Sequence, residues 1–275
     1  MKIVHFEHRG QRGQGIVEGD MVRAHALWPA DAPGAGFTLP ATASAHTAQG
    51  PLPLAQVQLL PPVTAGARIF CVGVNYQDHA AEVGRQVPGQ PSVFLRTLES
   101  LRGHLQPLAY PAVSPQFDFE GEIAVVVGQP GRDIARAQAL QHVFGYSCFM
   151  DGSVRDYQKQ SLAVGKNFAE SGAMGPWIVT ADEVPDPRAL TLTTLVNGQQ
   201  MQHASARQLI YDIPAIMAYI STWTPLKRGD VIATGTPAGV GLSRTPPVWL
   251  QPGDRVDVCV DGIGTLSNPV ERRAS

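Results

Sequence analysis

Two acidic side chains open the most apolar stretch of this chain, where Asp118-Phe119-Glu120-Gly121-Glu122 runs into Ile123-Ala124-Val125-Val126-Val127. Side chains at i and i+2 of a strand share a face, roughly 6.6 Å apart. Glu120 and Glu122 therefore point together, inside a segment that otherwise reads as a buried strand. Two carboxylates facing an interior repel each other and lose hydration, a cost that protons or a cation must offset. A hard divalent metal does so most simply. A metal-dependent enzyme is the first expectation.

A chain of 275 residues accommodates one large domain, or one with a small appendage. Its formal net charge of −2 argues against nucleic acid or an anionic membrane as the main partner. Charges in Met1-Lys2-Ile3-Val4-His5-Phe6-Glu7-His8 stand where a signal peptide needs an apolar core, and no apolar run is long enough to span a bilayer. Cys71, Cys148 and Cys259 lack a CxxC spacing and sit among apolar neighbours, as small core side chains do. A reduced, cytoplasmic, soluble protein is expected.

Residues 1 to about 28 alternate apolar and polar between glycines, as in a small antiparallel sheet, and residues 29–53 read as a Pro-, Ala- and Gly-rich connection with a short helix near Pro53-Leu54-Ala55-Gln56. From Arg68 the chain becomes denser in Val, Ile and Phe. Strands are expected at 68–72, 92–95, 122–127, 177–180, 190–197, 230–234 and 255–260, with hairpin turns at Asn197-Gly198 and Asp261-Gly262. Helices are expected at 76–83, 135–143, 153–162 and 213–222. They do not alternate with the strands, so the fold class is α+β with a mostly β core. We place a small N-terminal domain at 1–60 and the catalytic domain at 61–275.

Asp151 is a third candidate ligand. It follows a strand-like run and stands where a helix N-cap would be, with Arg155 and Gln158 at i+4 and i+7 on one helix face. A carboxylate, a guanidinium and an amide would then share one space, suited to a metal beside a clamp for an oxygen-rich anion. An ordinary ion pair of Arg155 with Asp151 or Asp156 is the plainer alternative. His79 and Glu82 share a helix face at i, i+3, where a carboxylate can orient an imidazole base. HxxE is common on solvated helices, so this pair carries weight only in company. Thr234-Gly235-Thr236-Pro237-Ala238-Gly239 follows a strand and offers backbone N–H groups to an anion, without the lysine of a P-loop. Lys166 is a lone lysine in an apolar stretch, either facing the carboxylates or on the surface. His5, His8, His25, His46, His104, His142 and His203 form no ligand spacing.

These segments together resemble the fumarylacetoacetate hydrolase family. The landmarks are Gly73 to Glu82, Pro91 to Arg96, Phe119-Glu120-Gly121-Glu122, Asp151 to Gln158, Gly165-Lys166-Asn167-Phe168, Gly175-Pro176-Trp177, Asn197-Gly198 and Gly229 to Gly241, in the family's order over about 68–268. The resemblance implies a mixed β-sandwich roll, a homodimer, and Mg²⁺ or Mn²⁺ held by Glu120, Glu122 and Asp151. It implies substrate contacts at Arg155, Gln158, Gly235, Thr236 and Arg96, and catalytic roles for His79, Glu82 and Lys166, with the His79 segment closing as a lid. Arg96 departs from the family's usual lysine and Ala169 from its usual aspartate, which bears on the substrate and not on the metal site.

The substrate class implied is a 2-oxo acid reacting through an enolate. The leading expectation is hydrolysis of a C–C bond in an acylpyruvate-type or diketo acid. The second is a decarboxylase or isomerase on a related 2-oxo acid such as oxaloacetate. A third, from another class, is a non-catalytic protein whose acidic cluster holds a structural Ca²⁺.

Overall fold

The computed structural model describes residues 1–30, 36–40, 50–87 and 89–272. His46 and parts of the expected 29–53 connection lie outside them. A twelve-stranded mixed sheet runs through the molecule. Its spine, in spatial order, is Met21–Pro29, Gln11–Glu18, Lys2–His8, Gly172–Thr180, Val143–Met150, Gly121–Val127, Val231–Ala233, Ile69–Gly73 and Ser92–Arg96. The N-terminal meander is continuous with the rest of this sheet, since Lys2 pairs with Val179 and Ile3 with Ile178. A five-stranded sheet (Gln199–Ser205, Thr191–Val196, Arg255–Val260, Gly264–Arg272, Leu108–Tyr110) packs against the larger one. The fold is α+β with mixed sheets, as the sequence predicts. Asn197 and Gly198, with φ of 52° and 79°, make the expected tight hairpin, which sets Val196 opposite Gln199.

The strand Gly121–Val127 is buried along its whole length. Ile123, Val125 and Val127 join the core beneath the five-stranded sheet, alongside Leu192, Val258 and Leu266. Ala124 and Val126 face the opposite core with Ile69, Cys71 and Phe149. A strand covered on both faces loses the polar alternation of a half-buried one, hence the continuous apolar run. Glycine separates the two glutamates because a Cβ on Gly121 would come within 2.0 Å of Thr194 Oγ1 on the second sheet.

Four α-helices are present among the described residues: α1 Gln77–Glu82, α2 Arg155–Gln158, α3 Leu162–Lys166 and α4 Ile213–Trp223. Asp212 caps α4 by accepting from Ala215 N at 2.9 Å, and Ile213, Ile216, Met217 and Ile220 form its buried stripe. Two expected helices are corrected. Residues Arg136–His142 wind as a 3₁₀ segment in which only Ala139 is buried, too narrow an anchor for an apolar 3.6-residue face. The helix expected over 153–162 is a strand pair at Ser153–Val154 followed by the single turn α2, because Val154 pairs with Phe117 and Ser153 with Asp118.

Candidate active site

Strand register assembles the acidic cluster. Gly121 lies opposite Met150, so Asp151 stands across from Glu120 and donates its N–H to the Glu120 carbonyl at 2.8 Å. By alternation Glu122 points to the face of Ala124 and Val126. One oxygen from each of Glu120, Glu122 and Asp151 lies within 4.8 Å of the others, and all three residues are buried. Asp151 is not a helix cap. The N-cap of α2 is Val154, which has no side-chain bond to offer.

Cations surround the cluster. Lys166, at the end of α3, is buried with Nζ 2.6 Å from both Glu120 Oε2 and Asp151 Oδ2. Arg155 reaches Glu120 Oε1 at 2.7 Å and donates to Gln158 Oε1 at 3.0 Å. Neither plainer expectation for Arg155 holds, since its carboxylate partners are Glu120 and Asp118. Burial alone would push the Glu120 carboxyl up, but Lys166 and Arg155 outweigh it and hold the group at about 2. Glu122 moves the other way, raised by burial and by the charges of Asp151 and Glu120. The amide of Gly235 donates to Glu122 Oε2 at 2.9 Å. Three hard oxygen donors at this spacing, one of them (Glu122) with no cationic side chain paired to it among the described residues, fit a small divalent cation.

On α1, His79 Nδ1 lies 2.9 Å from Glu82 Oε1. A carboxylate can only accept, so the proton sits on Nδ1 and Nε2 is the free base. Glu82 is in turn held by Gly239 N at 2.9 Å and Ser243 Oγ at 2.8 Å. Burial works against the Glu82 charge, while His79 and these donors prevail and keep its carboxyl below the ordinary range. Asn75 docks the segment ahead of α1 onto the Thr234 strand, donating to Thr234 O at 2.8 Å and Tyr211 O at 3.0 Å.

A cavity of about 160 Å³ is lined by His79, the three carboxylates, Arg155, Gln158, Lys166 and Thr236, with Arg85 and Leu242 also on its wall. Arg96 is the correction among the expected substrate contacts. Its side chain is fully buried behind Asp151, to which it donates, and its remaining N–H groups go to Ser100 Oγ (3.1 Å), Gly152 O (3.0 Å) and Ser171 Oγ (3.0 Å). It orients Asp151 and does not line this cavity. The N–H of Gly235 likewise serves Glu122, and the Thr236 hydroxyl donates to Gly121 O at 2.9 Å.

Sequence reasoning missed Asp118 and Gln202. Asp118 accepts from Arg155 Nε at 2.8 Å, Gly241 N at 2.8 Å and Leu242 N at 3.0 Å, tying the guanidinium to the 240s loop. The same i, i−2 rule that paired the glutamates points to it. Gln202 accepts from Gly121 N at 3.0 Å and donates to Thr236 Oγ1 at 2.7 Å. No local pattern marks it.

Fold and site are those of an enzyme. The chain belongs to the fumarylacetoacetate hydrolase family: the family described as fumarylacetoacetate (FAA) hydrolase C-terminal matches residues 68–271. A second family, Rv2993c-like N-terminal, matches residues 1–62. Oxaloacetate tautomerase YisK of Bacillus subtilis is 40% identical over 223 residues, covering 79% of this chain and 74% of that protein. Fumarylacetoacetate hydrolase from Exiguobacterium antarcticum superimposes with a TM-score of 0.84 at 35% identity, over 99% of this chain and 100% of that one. Maleylpyruvate hydrolase from Sphingobium sp. SYK-6, solved with manganese(II) and pyruvate, aligns over 100% of both chains with a TM-score of 0.78 and 30% identity. The family thus includes tautomerases and hydrolases. No helix among the described residues is long and apolar enough to cross a membrane.

Proposed function

We propose that this protein is a divalent-metal-dependent tautomerase that interconverts the enol and keto forms of oxaloacetate or a similar small 2-oxo acid. This places the second of the expected chemistries ahead of C–C hydrolysis. The observation that carries it is a Glu82-oriented imidazole sharing one cavity of about 160 Å³ with three buried carboxylates. That volume is well below the ~300–1,000 Å³ of pockets for drug-sized ligands, and favours a four-carbon acid over a longer diketo acid. The similarity to an oxaloacetate tautomerase supports the same choice.

Glu120, Glu122 and Asp151 would hold Mg²⁺ or Mn²⁺. Such an ion supplies Lewis-acid polarisation of the 2-oxo group when bound. His79 Nε2 takes a proton from C3 of the keto acid to leave an enolate, whose oxygen takes a proton from water. In reverse, the enol hydroxyl gives its proton to water and protonated His79 returns one to C3. Glu82 keeps the ring in the Nδ1–H tautomer and stabilises the imidazolium formed. Lys166 and Arg155 present cationic N–H groups to the 2-oxo carboxylate end and to the oxygen that gains charge as C3 is deprotonated. Buried Val72 and half-buried Leu162, with the exposed Leu242 on the same wall, reduce the water around these atoms. A cytoplasmic homodimer, with neither nucleic acid nor membrane as partner, completes the proposal.

The test is decay of enol-oxaloacetate absorbance in the presence of Mg²⁺, run beside pyruvate and CO₂ release and acetylpyruvate cleavage. Wild-type protein should accelerate ketonisation, and His79→Ala should slow it by roughly 10²–10⁴-fold. Cleavage of acetylpyruvate to pyruvate and acetate with no acceleration of ketonisation would return hydrolysis to first place.

A further inference from the structure

Helix α1 ends in a Schellman arrangement. Gly84 N–H donates to Ala81 O at 3.2 Å and Arg85 N–H donates to Ala80 O at 2.9 Å, with Gly84 at φ 64°. The left-handed turn that glycine permits reverses the chain at once. Two backbone hydrogen bonds therefore fix where Arg85 leaves the helix that carries His79. Both side chains line the cavity that also holds Glu120, Glu122 and Asp151.

The other cations of the site are engaged. Lys166 bridges Glu120 and Asp151, Arg155 is shared between Asp118 and Glu120, and Arg96 is spent on Asp151. Glu82, the acid nearest Arg85 in sequence on this face, is turned to His79, Gly239 and Ser243. No carboxylate among the described residues pairs with the Arg85 guanidinium. The wall of the same cavity also carries Val83, Leu162 and Leu242, which offer an anion no competing charge. Arg85 itself is exposed, so it stands at the mouth, whereas the triad lies at the buried end.

We infer that Arg85 selects dicarboxylic 2-oxo acids by binding the carboxylate distal to the 2-oxo group, an inference that rests on the 2-oxo acid assignment made above. A ligand whose oxo-carboxylate end lies among Lys166, Arg155 and the triad directs its other end to the mouth. A guanidinium there matches a carboxylate with two parallel N–H donors. A monocarboxylic acid of the same length leaves it unpaired. Arg85 thus sets which acid binds, and takes no part in proton transfer.

Two stable ligands that differ only in the distal carboxylate, L-malate and L-lactate, provide the test. Their affinities are measured by calorimetry on the Mg²⁺-loaded protein, for wild type, Arg85→Gln and Arg85→Lys. Wild type should bind malate about 10-fold more tightly than lactate, the effect of one charge-assisted contact at a partly solvated site. Arg85→Gln should bring the two within about twofold by weakening malate alone, and Arg85→Lys should keep part of the gap. An unchanged ratio in Arg85→Gln, equal weakening of both ligands, or no preference in wild type overturns the assignment. Ketonisation of oxaloacetate by wild type is followed in parallel. If the ratio collapses but wild type does not accelerate ketonisation, the reaction is wrong and the carboxylate site stands. If ketonisation is fast and the ratio is unmoved, the reverse holds.

Discussion

Asp118 holds Arg155 from behind, with Oδ2 2.8 Å from Nε and 2.7 Å from Nη2, while the free edge of the guanidinium reaches Glu120. Both residues are buried, so the pair is unscreened. Asp118 also anchors the Gly241 and Leu242 amides, which makes it the link between the cation and the loop that closes the cavity.

Asp118→Asn should destabilise the protein by about 3 kcal/mol, the low end for breaking a buried pair, because Arg155 keeps Glu120. Urea unfolding measures it. A loss below about 1 kcal/mol would show that Glu120 alone suffices to hold Arg155.

Glu122→Gln should have opposite effects on the metal-free and metal-loaded protein. The folded-state pKa of Glu122 is raised by burial and by Asp151 and Glu120. Its ionised form therefore opposes folding at neutral pH, and the amide raises the melting temperature of chelator-treated protein. Mn²⁺ affinity should fall by about 100-fold or more, since a ligand oxygen is lost. A lowered melting temperature without metal, or retained Mn²⁺ binding by calorimetry, contradicts the arrangement.

The His79–Glu82 pair predicts a pH signature. The folded-state pKa of Glu82 is depressed below its ordinary 4.5, chiefly by His79, Gly239 and Ser243 acting against burial. A depressed carboxyl contributes stability above its unfolded pKa and loses it as pH falls through the folded value. The melting-temperature gap between wild type and Glu82→Gln should be full above about pH 4.5 and close below it. A gap that widens in acid reverses the sign and removes the pair.

Arg96→Lys should be poorly tolerated despite conserving charge. A single ammonium cannot serve Asp151, Gly152 O, Ser100 and Ser171 together. We expect about 2 kcal/mol of lost stability, from unmatched buried acceptors. Mn²⁺ affinity should drop about 10-fold as Asp151 loosens. Unchanged metal binding in a folded variant would mean that Lys166 alone orients Asp151.

Much of the site was legible because its signals are local. Period-two alternation placed Glu120 and Glu122 on one face, and the i, i+3 rule paired His79 with Glu82. The same logic failed at Asp151, where a helix was inferred from spacing but Ser153 and Val154 pair with Asp118 and Phe117 instead. Arg155 and Gln158 nevertheless meet near Asp151, because the single turn α2 spaces them at i, i+3 and the strand ahead of it aims them inward. The 3₁₀ winding of 136–142 escaped notice for a related reason, since composition reports propensity but not which residues find a core.

The residue types alone determined that acid must be buried within a strand, that the core is mostly β, and that a base with its orienting carboxylate rides on a short helix. Only the tertiary structure decided which cations answer which acids: Arg96 behind Asp151, Lys166 between Asp151 and Glu120, Asp118 behind Arg155. Those pairings join residues 15 to 55 positions apart. Strand register and sheet packing bring them within 3 Å, whereas periodicity reports only on neighbours along one element.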